Sequence, residues 1–79
     1  MKIDHAHTYT VQSKNIETHR FILRVFRTDF DPEYMNRFKN SLSKPCEITV
    51  VHIQREGLLV FSGILSTNGD YLLFKLFFQ

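Results

Sequence analysis

A single cysteine, Cys46, excludes an internal disulfide framework and any zinc site built on several thiolates. Tryptophan is absent, and only two prolines and three glycines interrupt the 79 residues. No apolar run approaches the roughly 18 residues of a membrane span. The opening Met1–His7 also lacks the apolar stretch of a secretion signal. These absences lead to the expectation of a soluble, cytoplasmic protein with no membrane role. Neither sign of charge dominates: ten Lys and Arg against eight Asp and Glu give a net +2, too little to argue for nucleic acid on bulk charge. The basic excess lies in the first half of the chain, where Arg20, Arg24 and Arg27 fall close together.

Apolar material is sufficient for one core, with 43% hydrophobic residues including eight Phe and three Tyr. The length allows a single domain over residues 1–79, with 1–7 expected as a flexible N-terminal arm. The clearest element is a helix over 32–43. Asp31 is a good N-cap, and Pro32 loses no bond at the first helical position. Glu33 suits the positive end of the helix dipole, and Tyr34, Phe38 and Leu42 make one apolar stripe with Met35 beside them. Phe30, before the cap, has the spacing to pack on Met35. Pro45 ends the element, since the residue before a proline leaves helical space.

The rest reads as strands. Residues 46–54 contain the β-branched run Ile48, Thr49, Val50, Val51 and Ile53. The triplet Arg55-Glu56-Gly57 is a turn, and 58–66 is the next strand, with Gly63 suggesting a bulge or bend. The pair Asn68-Gly69 between apolar runs signals a hairpin turn, which makes Tyr71 to Phe78 a last strand and completes a three-stranded meander. Thr8 to Gln12 reads as a strand and Ser13-Lys14-Asn15 as a turn. Residues 17–27 fit either a strand or a helix, and their aromatic and β-branched content favours the strand. The fold expected is α+β: one helix on a curled, mostly antiparallel sheet of four or five strands, in the order β-β-α-β-β-β, with β-α-α-β-β-β as the alternative.

Polar constellations point to binding rather than chemistry. There is no glycine-rich phosphate loop and no nucleophile elbow, and Cys46 and His52 are too far apart along a strand to pair. No catalytic residues, cofactor, metal or small-molecule substrate are expected. His5 and His7 supply two imidazoles, which is short of a metal site. His52 is expected as a partly buried strand residue. Arg20, Arg24 and Phe26 share one face of the strand reading and lie close to Arg27. Cations beside an aromatic ring are the composition of single-strand nucleic-acid platforms.

The stretch Tyr71–Phe78 is apolar on both faces of a strand, which calls for a covering surface. On that reading Leu72, Phe74, Leu76 and Phe78 enter the core, while Tyr71, Leu73, Lys75 and Phe77 form a partner-binding face. The run Leu42 to Val51, followed by Glu56-Gly57 and Phe61 to Leu65, resembles the opening of Sm-like small barrels, which implies a helix, a strand and a strongly bent strand. Gly69-Asp70-Tyr71 resembles the last strands of RelE/ParE-like toxins. The arginine usual after that tyrosine is Leu72 here, so no nuclease role is carried over. The function expected is a small non-enzymatic regulator or inhibitor, of the type found in phages and mobile elements, acting through protein contact or self-association as a dimer. The alternative is a small RNA- or single-stranded-DNA-binding module using the Arg20/Arg24/Arg27 region.

Overall fold

The computed structural model describes all residues, Met1–Gln79. Four strands form one antiparallel sheet in the order β1-β2-β4-β3: β1 His5–Ser13, β2 Ile16–Phe26, β3 Thr49–Ile53 and β4 Leu58–Leu65. Two helices, α1 Pro32–Ser41 and α2 Asn68–Phe78, complete an α+β domain. Apart from Arg27, which begins a 3-10 turn, residues 17–27 are therefore strand. As β2 they pair with β1 on one side and β4 on the other, which spends the backbone donors and acceptors of the segment on the sheet.

The β1–β2 turn places Lys14 and Asn15 at φ 48° and 67°, the left-handed pair that matches the twist of a two-residue hairpin. The β3–β4 connection is a 3-10 turn, Gln54–Glu56, closed by Gly57 at φ 62°. There the absence of a Cβ removes the steric cost of the left-handed conformation. The α1 cap forms as expected: the Asp31 carboxylate accepts from the amides of Glu33 and Tyr34 at 3.0 and 3.4 Å. Phe30 stacks on Phe61, with ring centroids 5.3 Å apart, and packs against the buried cluster that holds Met35.

Both helices cover one face of the sheet. Phe21, Leu23 and Val25 of β2 and Phe61 and Leu65 of β4 meet Met35 and Phe38 of α1 and Phe74 and Phe78 of α2 in one buried cluster. The rings of Phe21, Phe38, Phe74 and Phe78 interlock in tilted and edge-to-face pairs, a favoured arrangement for aromatic quadrupoles. Gly63 is not a bulge, because the β2–β4 register runs through it without interruption. A Cβ there would come within 2.7 Å of the Phe21 ring and 3.1 Å of the Glu47 carbonyl oxygen, so glycine serves close approach.

Four expectations are corrected. The last segment is a helix and not a strand, so the meander stops at β4 and the chain has two helices. Thr67 caps α2 by accepting from the Asp70 amide at 3.1 Å, which commits Asn68-Gly69 to a first helical turn. The strand likeness of Gly69-Asp70-Tyr71 to toxin termini falls with that. Residues 1–7 are not a free arm: Met1 and Ile3 pack on the core, and β1 already includes His5–His7. His52 is exposed and not partly buried, since it lies on the outermost strand beyond the reach of the helices.

Candidate functional site

The sheet face opposite the helices carries the most distinctive surface. Cross-strand register fixes its rows. Phe26, Leu58 and Ile53 lie side by side at one end. Next come His5, Arg24, Val60 and Val51, then His7, Ile22, Ser62 and Thr49, and then Tyr9, Arg20 and Ile64. No element packs over these rows, and Tyr9, Phe26, Val51, Ile53 and Ile64 are all exposed. Leu58 sits on this face between Phe26 and Ile53 and is buried. Among the paired positions here, Arg20 and Arg24 are the only charged residues. The Arg24 guanidinium stands 3.8 Å from the Asp4 carboxylate, whereas Arg20 has no carboxylate within ion-pair distance.

At the Tyr9–Arg20 end the face dips into an open groove of about 410 Å³, bordered by Ile22, Ser62 and Glu47. The Cys46 thiol beside it donates to the Ile64 carbonyl at 3.0 Å. Burial pushes that thiol above its ordinary value, so it is a weak nucleophile near neutral pH.

Of the residues expected to bind nucleic acid, the fold brings Arg20, Arg24 and Phe26 onto this face. It sends Arg27 into the 3-10 turn after β2, at the rim of a second cavity with Thr28, His52, Gln54 and Gly57. Tyr71, Leu73, Lys75 and Phe77 do not form one face, because a helix turns successive residues by about 100° where a strand alternates. Tyr71 stacks on His19 at 4.4 Å, and the carbonyl of Phe77 accepts the Tyr34 hydroxyl at 2.6 Å. Leu73 and Phe77 pack against the core, and Lys75 is exposed with its ammonium 4.7 Å from the centroid of the Tyr71 ring. Hydrogen bonding to Lys75, and after it to Thr8, holds the Tyr71 phenol below its ordinary value. The set assigned to the core splits likewise: Phe74 and Phe78 are buried, while Leu72 and Leu76 are 57% and 80% exposed.

Two histidine features complete the description, of which the burial of His19 has no counterpart in the sequence. His19 is buried, with its ring nitrogens within 3.3 Å of the Thr10 hydroxyl and 2.9 Å of the Asn68 side-chain oxygen. His5 and His7 bring ring nitrogens within 2.7 Å of each other, and no group of three or more His, Cys, Asp or Glu side chains converges as a metal site. The rows joining β2 to β4 and β3 also escaped the sequence, since they depend on which strands pair. The alternation Arg20, Ile22, Arg24, Phe26 was the available signal. No protein-family model matches the chain, and no curated protein or solved structure matches it.

Proposed function

We propose that this chain is a non-enzymatic binding protein that holds the uncovered face of its sheet against an apolar protein surface bordered by acidic groups. The observation that carries the reading is the composition of that face: Tyr9, Ile22, Phe26, Val51, Ile53, Val60 and Ile64 among the polar His5, His7, Thr49 and Ser62, with Arg20 and Arg24 as its only charges. Large exposed apolar patches mark interaction sites more often than they occur idly. Charge of one sign beside them selects a partner of the other sign and speeds encounter.

Single-stranded nucleic acid is the second reading, favoured by Tyr9 standing directly beside the unpaired Arg20. Against it, Ile22 lies between the two arginines along β2, and aliphatic side chains offer bases no stacking surface. Tyr9 and Ile64 are 45% and 38% exposed, so Tyr9→Ser with Ile64→Asp should leave the melting temperature within a few degrees. The protein reading expects that variant to lose partners captured by the parent chain in nuclease-treated lysate. Capture that disappears on nuclease treatment, together with oligonucleotide binding that weakens steeply with salt, supports the second reading instead. Unchanged capture by the variant overturns both.

A further inference from the structure

The two outer strands of the sheet are unequally protected. On β1 the Gln79 side-chain amide donates to the Ala6 carbonyl at 3.0 Å, so the end of α2 occupies part of that edge. Along β3 all five residues are exposed, with Val50 and Val51 at 53% and 54%. Thr49–Ile53 contains no proline, lysine, glycine or acidic residue, the usual devices that blunt an edge. A β-branched strand with an open row of amides and carbonyls is a template for another strand.

We propose that β3 pairs antiparallel with β3 of a second copy of this chain, across a two-fold axis perpendicular to the sheet, to make one continuous sheet from two domains. Such an axis keeps each side chain on its own face, so residues opposite one another must be both odd or both even in number. Registers centred on Val50, Val51 or His52 satisfy this. The one centred on Val51 aligns the whole strand, with Thr49 opposite the partner's Ile53 and Val50 opposite the partner's His52. Glu47 precedes β3 and Arg55 lies in the turn after it, so antiparallel pairing brings the Glu47 end of one copy to the Arg55 end of its partner, and symmetry repeats the juxtaposition. Glu47 and Arg55 are both exposed, and neither has an ion-pair partner within the chain. Centring on Val50 or His52 shortens the paired length, so overlap selects the register centred on Val51, and the opposite charges at the two ends favour the antiparallel arrangement.

The paired length is about 17 Å at roughly 3.4 Å per residue, which makes a small interface and a dimer that responds to concentration. Thr49, Val51 and Ile53 belong to the open face as well as to the edge, but pairing engages the outward backbone groups of β3, so neither reading depends on the other. Sedimentation velocity over a dilution series tests the pairing. The parent chain should convert reversibly from dimer to monomer on dilution. Val51→Lys puts like charges on the axis at a site already open to solvent, so the dimer should vanish while the melting curve of the dilute chain stays unchanged. Glu47→Arg and Arg55→Glu should each weaken association about tenfold, and mixing the two variants should restore it, because each then meets its opposite. A parent chain that is monomeric throughout overturns the proposal. So does a dimer indifferent to Val51→Lys, or charge variants that do not complement on mixing.

Discussion

Asp70 is 4% exposed and has no cation within ion-pair distance, yet its carboxylate is satisfied. It accepts from the amide and hydroxyl of Ser43 at 2.9 and 3.0 Å and from the Lys44 amide at 3.3 Å. Burial alone would raise its pKa, but these donors, with the Thr67 hydroxyl, outweigh burial and hold the carboxyl below its ordinary value. The contacts tie the loop after α1 to the first turn of α2, so a single side chain fixes how the two helices meet. A carboxyl whose pKa is depressed by folding adds stability that is fully present above the unfolded value, about 3.9. That stability is lost as the pH falls through the folded value. Asp70→Asn directs an amide NH₂ at donors it cannot satisfy and should cost about 1–3 kcal/mol at neutral pH. Urea midpoints should show the parent losing stability below about pH 4, with the variant flatter across that range. A variant that follows the parent in acid would assign the acid-sensitive term to another carboxylate. In the sequence Asp70 read only as part of a turn, because its donors lie 26 and 27 residues away.

At the scale of elements, legibility followed the local signals. The Asp31-Pro32 start of α1, the turn at Lys14-Asn15 and the turn ending at Gly57 depend on neighbours in the chain, and all three were readable. The strand within 17–27 was readable from β-branched and aromatic content, and its helical rival falls because β1 and β4 bracket it. α2 was misread for a physical reason: Tyr71–Phe78 is apolar at seven of eight positions, so neither a period of two nor one of 3.6 stands out. Thr67 three residues before Asp70 is the spacing of a helix N-terminus, and it competed with Asn68-Gly69 as a hairpin turn. The helix wins because it seats Phe74 and Phe78 on the Phe21–Phe38 cluster and leaves, of its own large apolar residues, only Leu72 and Leu76 exposed. Thr67→Ala should therefore cost about 1 kcal/mol through loss of the cap. Phe74→Ala, fully buried in the parent, should cost about 3–5 kcal/mol. Guanidinium unfolding followed by circular dichroism separates the two, and a Phe74→Ala protein as stable as the parent would remove α2 from the core.

For the molecule as a whole, cover decides which parts are rigid. β2 has a strand on each side and two helices above it, and its Phe21, Leu23 and Val25 are within 1% of full burial. β3 has one neighbour and no helix over its exposed residues. Local opening free energies follow buried contacts, so amide exchange should be slowest along β2 and fastest, among the strands, along β3. The prediction separates by concentration. In a dilute chain the β3 amides that do not bond to β4 exchange freely, whereas in a β3-paired dimer they become donors to the partner strand and slow with rising concentration. The β1 amides, on the opposite edge, should show no such dependence. Hydrogen exchange read by NMR at two concentrations gives both comparisons from one sample series. Slowing along β1, or along the open face without β3, would place self-association elsewhere on the sheet, and uniform protection across the strands would mean that cover by the helices does not set the stability of the fold.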